Sequence, residues 1–153
     1  MYNRSLEQNS IPSSVISIEF GSQFNRIIKP NILPNSIRKI FFGDNYNKIL
    51  TTNVIPESVK YIKFGYDFSQ SLIDLPDTIE TIELVRTTEP TINTLPMIKH
   101  LIIGFLNQNI INNLPISLES ISIMSYYENE LKKFNKLPMN CVIKTIRENE
   151  NFF

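Results

Sequence analysis

The 153-residue sequence contains no alanine and no tryptophan, a single cysteine, a single histidine and four glycines. The missing alanine argues against a mainly helical protein, because alanine is the strongest helix former and long helices are normally rich in it. The lone cysteine, Cys141, excludes an intrachain disulfide and favours a reducing, intracellular setting, most simply the cytoplasm. The lone histidine, His100, makes neither a metal site nor a catalytic triad by itself. Surplus charge is lacking too, since 15 basic residues balance 15 acidic ones. Nucleic-acid binding and polybasic membrane binding rest on excess positive charge, so neither partner is expected. Apolar runs are short: the longest, Leu101 to Leu106 with Gly104 inside it, falls far below a membrane span. Met1 to Ser10 is polar and has no apolar stretch of the kind a signal peptide needs.

What the sequence does have is a repeat, and proline marks it. Seven of the nine prolines follow Ile or Leu: Pro12, Pro34, Pro56, Pro76, Pro96, Pro115 and Pro138, at spacings of 22, 22, 20, 20, 19 and 23 residues. All four glycines, Gly21, Gly43, Gly65 and Gly104, fall nine or eight residues after such a proline. The first unit runs Ile11, Pro12, Ser14, Val15, Ile18, Phe20, Gly21, Phe24, Asn25. The second repeats it as Leu33, Pro34, Ser36, Ile37, Ile40, Phe42, Gly43, Tyr46, Asn47, and the third as Ile55, Pro56, Ser58, Val59, Ile62, Phe64, Gly65, Phe68, Ser69. Later units, starting near residues 75, 95 and 114, drift: Val85 and Met124 stand in the glycine slot, and the fifth unit lacks one residue after Met97.

The end of each unit's apolar pattern alternates with period two, the signature of a strand with one buried face. One such strand cannot bury that face alone, but stacked copies can, about 4.8 Å apart in a parallel sheet. The expected fold is therefore mainly β with irregular coils, a solenoid with one short strand per repeat. It forms one domain over residues 1–153, with a body on the order of 30 Å long. Glycine after the strand is expected to permit positive φ where the chain leaves the sheet. Proline before it, lacking a donor, belongs outside the ladder. The aromatic of each Phe-Asn pair should point inward and stack, and the Asn or Ser after it should bond backbone groups of its own or the next coil. The pairs Ile27/Ile28, Ile49/Leu50, Leu72/Ile73 and Ile110/Ile111 should close the far wall. At the C-terminal end, Tyr127, Leu131 and Phe134 have helical spacing and suggest a capping helix within residues 125–136, and Cys141 to Ile146 could add a strand.

The Phe24-Asn25 segment and the Leu/Ile-Pro-x-Ser starts resemble the FNIP repeat family, relatives of leucine-rich repeats, over about residues 11–136. Ile27, Ile49 and Ser71 stand where that family's core carries proline. The resemblance implies a source among social amoebae or their giant viruses, hence a host cytoplasm if viral. This agrees with a composition in which Ile and Asn supply 43 residues. It also implies substrate binding in ubiquitin-ligase adaptors, where an F-box often lies upstream. With ten residues before the first repeat, no F-box is expected here.

No glycine-rich phosphate loop, His-Glu-x-x-His or Asp-rich calcium loop is present, so no catalytic residues, metal or cofactor are expected. Cys141 reads as a structural thiol rather than a nucleophile. What remains is the outer face of the sheet, in three rows. The first is Ile16, Arg38, Lys60, Glu80, Lys99, Glu119, alternating in sign from Lys60 onward. The second is Ser17, Lys39, Tyr61, Thr81, His100, Ser120, and the third is Glu19, Phe41, Lys63, Glu83, Ile102, Ser122. Lys39, Phe41, Tyr61 and Lys63, with His100 further along, form an aromatic and basic patch of the kind that anchors a protein partner. A solvated sheet face with incidental aromatics reads the same residues without a partner. An uncovered first strand, residues 16–20, would leave an edge open to weak homodimerisation.

Overall fold

The structure, a computed structural model, describes residues 3–106, 113–124, 133–134 and 136–146. Among these residues, seven strands lie side by side in chain order in one parallel sheet. They are β1 (Ser17–Glu19), β2 (Lys39–Phe41), β3 (Tyr61–Phe64), β4 (Thr81–Arg86), β5 (His100–Phe105), β6 (Ser120–Ile123) and β7 (Val142–Thr145). The seventh strand is the one expected from Cys141 to Ile146. Every pairing follows the repeat register, so that Ile18, Ile40, Ile62, Ile82, Leu101, Ile121 and Ile143 form one inward row. Its five inner members, Ile40 through Ile121, are 0% exposed, each contributing on the order of 2 kcal/mol by burial. Ile18 and Ile143, at the two ends, are only partly buried.

Each of the seven repeat prolines opens a tight turn into its strand. The carbonyls of Pro12, Pro34, Pro56, Pro76, Pro115 and Pro138 accept from the backbone N–H three residues on, at 3.0–3.2 Å. In the fifth unit, one residue short, Ile98 N–H donates to Pro96 instead, only two residues back. The turn absorbs the deletion and the sheet register survives. The serine of the Pro-x-Ser start bridges coils: Ser36, Ser58 and Ser117 Oγ donate to the carbonyls of Val15, Ile37 and Ile98 at 2.6, 2.7 and 2.7 Å.

Behind the sheet run two aromatic ladders. Phe20, Phe42 and Phe64 stack at 5.2 and 5.5 Å between ring centroids, and Phe24, Tyr46 and Phe68 at 5.9 and 6.2 Å. The ladders also touch within each coil, Phe42 to Tyr46 and Phe64 to Phe68 at 4.0 Å. Such pairs contribute about 0.5–1.5 kcal/mol each beyond their burial. Beside them runs the expected amide ladder: Asn25, Asn47 and Ser69 N–H donate to the Oδ1 of Asn3, Asn25 and Asn47 at 3.3, 3.1 and 3.0 Å. Asn3 therefore occupies the Asn slot of a preceding coil. Residues 3–10 form the back half of that coil, with Leu6 7% exposed, and no strand among the described residues pairs with the outer edge of β1.

Two expectations need correction. No glycine has positive φ; the left-handed positions belong to Asn9, Asn31, Asn53 and Asn140, with φ of 62–66°. Asparagine tolerates that region because its short amide can bond locally. The glycines instead answer close approach between coils, since a Cβ on Gly43 would lie 2.6 Å from backbone atoms of Gly21 and Ser22. Second, each apolar pair among the described residues sends only one member inward. Ile28, Leu50 and Leu72 are buried, whereas Ile27, Ile49 and Ile73 are 64–75% exposed. Extended backbone turns consecutive side chains to opposite sides, so a single wall cannot take both. The fourth unit also holds an element that the repeat pattern does not describe, a one-turn helix, α1 (Glu89–Ile92), opened by Thr88 and Pro90 and burying Thr91 and Ile92. The signal was present as Thr-Glu-Pro, a helix start. Ile110, Ile111, the tail from Arg147, and the expected cap except for Lys133, Phe134 and Lys136 lie outside the described residues.

Candidate functional sheet face

Alternation along β2 and β3 turns Lys39, Phe41, Tyr61 and Lys63 to the outer face, where the register sets Lys39 beside Tyr61 and Phe41 beside Lys63. The Phe41 and Tyr61 rings meet diagonally, centroids 5.3 Å apart and tilted by 44°. Lys39 is exposed, and Phe41, Tyr61 and Lys63 are half-buried. The four residues expected to form a patch are thus brought together. His100 is on the same row as Tyr61, but Thr81 stands between them. Its Nδ1 is 2.9 Å from Ser120 Oγ, which ties it to β6 rather than to the aromatic pair.

The organising residue is Glu83. It stands beside Lys63 in the third row, yet it is only 7% exposed. Its carboxylate accepts from Tyr61 Oη and lies 2.7 Å from Lys63 Nζ. Burial, and secondarily the bond to Glu83 and its negative charge, push the Tyr61 phenol well above its ordinary range. Tyr61 is therefore held neutral and fixed as a donor. Spacing alone marks Glu83 as one more outward charge; its burial follows from tall neighbours, Tyr61 and Lys63, folding over it.

The first row is looser. Lys60 Nζ lies 3.6 Å from Glu80 Oε1, both about half exposed. Such a pair contributes only a few tenths of a kcal/mol. Arg38 turns back to the carbonyls of Asn35, Ser36 and Ile37 and does not join that ladder.

No group of three or more potential metal ligands occurs among the described residues. Cys141 is half-buried, and burial raises its thiol pKa, which disfavours the reactive thiolate. No helix among the described residues is long and apolar enough to cross a membrane.

A family profile described as FNIP Repeat matches residues 2–45 and again residues 46–87, more than half of the chain. The chain belongs to the FNIP repeat family. The matched boundary agrees with the half-coil at the start, since Tyr2-Asn3 repeats the Phe24-Asn25 pair 22 residues upstream. Among solved structures, CroV588, described as a novel circular LRR protein, superposes with a TM-score of 0.59 at 28% identity. The match covers 98% of this FNIP chain and 26% of that one, so the chain spans about a quarter of its length. No curated protein matches the chain. The FNIP coils thus build a leucine-rich-repeat-like solenoid with a parallel sheet.

Proposed function

We propose that the chain is a non-enzymatic protein-interaction module that presents the outer face of its sheet, centred on Phe41 and Tyr61, to a protein partner. The observation that carries this reading is the tethered aromatic pair. Tyr61 is bonded to Glu83 and packed on Phe41, with Lys39 and Lys63 beside it. Aromatic anchors held in place before binding lose little side-chain entropy on association, and flanking lysines favour an acidic or hydrogen-bond-accepting partner. Leucine-rich-repeat-like solenoids generally serve as interaction scaffolds, which fits this reading. His100 extends the same face two strands away as a secondary contact.

The test is affinity capture from a lysate of the source organism with wild type and with Phe41→Ala/Tyr61→Ala. The double variant is expected to lose a specific partner while keeping its circular dichroism spectrum and melting temperature. Capture unchanged by the double substitution would remove this face from consideration.

A second reading, assembly through the uncovered first strand, is favoured by the half-coil that ends beside β1 without a strand of its own. A third, substrate binding for a ubiquitin-ligase adaptor, rests on the family resemblance alone.

A further inference from the structure

In every coil the residue after the repeat proline stands at the outside of the turn that enters the strand. Along the sheet this slot forms one row: Ser13, Asn35, Glu57, Asp77, Met97, Ile116 and Met139. All seven are exposed. The turn is closed between the proline carbonyl and a backbone N–H, so it makes no demand on this side chain. The first four residues are polar, as turn positions usually are. The last three are large and apolar: Met97 is 51% exposed, Ile116 85% and Met139 88%. Single exposed apolar side chains are ordinary on a protein surface. Three in one slot of adjacent coils make a stripe along one side of the solenoid. None of them belongs to the core or packs against it. An end effect does not account for the stripe, because Ile116 has a paired strand on either side of its own.

The same row is acidic just before it turns apolar. Glu57 and Asp77 form no ion pair among the described residues, and the Glu57 carboxylate accepts from Thr78 Oγ1 at 3.4 Å. The cations of the first outward row beside them are committed elsewhere. Arg38 bonds the carbonyls of Asn35, Ser36 and Ile37, and Lys60 bonds the Thr78 carbonyl and pairs with Glu80. Behind the apolar half, that row carries Lys99 and Glu119, whose charges offset. A surface complementary to the slot is therefore basic at one end and apolar at the other. Spacing sets its shape. Adjacent strands stand about 4.8 Å apart, which puts the second and third apolar side chains about 4.8 and 9.6 Å beyond the first. On an α-helix, residues i, i+3 and i+7 share a face and rise about 4.5 and 10.5 Å. Residues on one face of a strand rise about 6.8 Å each and miss the third position by about 4 Å. Carried back past Met97, the helical match sets residues i−4 and i−7 opposite Asp77 and Glu57.

We propose that this row is a docking edge for an amphipathic helix of a protein partner. Apolar residues at i, i+3 and i+7 lie on Met97, Ile116 and Met139, and basic residues at i−4 and i−7 lie on Asp77 and Glu57. The edge occupies a different slot of the repeat from Phe41 and Tyr61, and it does not depend on a partner binding there.

Fluorescence anisotropy with two labelled peptides tests the edge. Each is about 18 residues long, enough to span the five positions as a helix, with leucine at the three apolar positions and alanine and glutamine around them. One carries lysine at i−4 and i−7, the other glutamate. Wild type is expected to bind the lysine peptide saturably and to induce helix in it by circular dichroism. The glutamate peptide should bind at least tenfold more weakly. Met97→Ser/Ile116→Ser/Met139→Ser is expected to keep the wild-type melting temperature and to lose at least tenfold in affinity, since covering even one such side chain is worth about tenfold or more. Glu57→Lys/Asp77→Lys should reverse the preference between the peptides. Phe41→Ala/Tyr61→Ala should bind like wild type. Absence of saturable binding, equal affinity for the two peptides, or a triple serine variant that binds like wild type would each overturn the proposal. Loss of binding in Phe41→Ala/Tyr61→Ala would overturn it too, by placing the peptide on the sheet face. Self-association in sedimentation velocity, or flotation with phosphatidylcholine vesicles, abolished in the triple serine variant would give the stripe to a second copy or to a lipid surface instead, and would equally overturn it.

Discussion

The two glycines at equivalent positions of the first and second coils make a controlled experiment within one molecule. A methyl group added at Gly43 would lie 2.6 Å from three backbone atoms of the preceding coil, the carbonyl carbon and oxygen of Gly21 and the Cα of Ser22. Carbon atoms normally meet at about 3.5–4.0 Å, so the coils must separate by about 1 Å. No side chain can rotate away to relieve this. The opposing backbone is itself pinned, because Phe24 N–H donates to Gly21 at 2.9 Å and Asn45 N–H to Ser22 at 3.0 Å. Overpacking of this kind costs about 1–3 kcal/mol, and stretching one such bond adds about 1 kcal/mol, so Gly43→Ala is expected to cost about 3 kcal/mol. Gly21→Ala meets nothing within 4 Å and strains no positive φ. It should stabilise by about 0.5 kcal/mol through the unfolded chain's lost freedom. Urea titration of dilute protein reads the difference. With a slope of about 2 kcal/mol per molar, the two midpoints should stand more than about 1 M apart. Midpoints that coincide would show that close stacking does not explain the glycine slot.

Tyr46 is 0% exposed within its aromatic ladder, and its hydroxyl finds no hydrogen-bond partner among the described residues. Tyr46→Phe, matching Phe24 and Phe68 on either side, should therefore leave stability unchanged or raise it by about 1 kcal/mol by thermal or urea melting. Burial raises the Tyr46 phenol above its ordinary 10.0, so the folded state holds a proton that the unfolded state releases. That contribution is complete below pH 10 and is lost as pH rises beyond it, and Tyr46→Phe should flatten the alkaline fall in urea midpoint between about pH 9 and about pH 11. Removing the Glu83 carboxylate with Glu83→Ala leaves Lys63 and Tyr61 without their shared acceptor and should cost about 1–2 kcal/mol, against at most about 0.5 kcal/mol for Glu80→Ala; equal losses would contradict the difference in burial. Ser58→Ala strips the Ile37 carbonyl of its side-chain donor and should cost about 1 kcal/mol, detectable as a lowered midpoint with unchanged slope.

Most of this fold could be read from the sequence because each coil writes the same physical requirements in the same slots. The Pro-x-Ser starts and the Ile-x-Phe alternation set the strands, and register followed from the spacing of Pro12, Pro34 and Pro56 through to β7. What was not legible falls into two kinds. Gly43 and Asn31 both look like turn residues; only coordinates show that asparagine carries the left-handed φ and glycine the steric clearance. The half-coil that holds Asn3 carries no repeat proline, so the proline spacing does not mark it. On the face, alternation placed Lys39, Phe41, Tyr61 and Lys63 together. It could not say that Glu83 would be buried beside two of them, because burial of an outward residue depends on how the side chains of the adjacent strand lie over it.

That position of Glu83 links the irregularity of the array to its surface. β3 is the last strand of the regular coils, and β4 the first of the drifting ones, where Val85 stands in the glycine slot and the strand runs on to Arg86. In regular coils the third outward row carries Glu19, Phe41 and Lys63, long or bulky side chains with no acceptor among themselves except Glu19 at the far edge. Only where the sequence departs from the repeat does a carboxylate meet Tyr61 and Lys63 together. The outward slots differ even among the regular coils, so the face at β4 is set by the residue in its own outward slot, Glu83, which fixes the Tyr61 ring against Phe41. An anchor fixed before contact has less rotamer freedom to lose on binding, about 0.5–1.5 kcal/mol for each immobilised side chain. The drift of the later coils is compatible with stability behind the sheet, where aliphatic Leu84, Ile103 and Ile123 remain 0–1% exposed, while in front of it Glu83 gives the β3–β4 face its own arrangement.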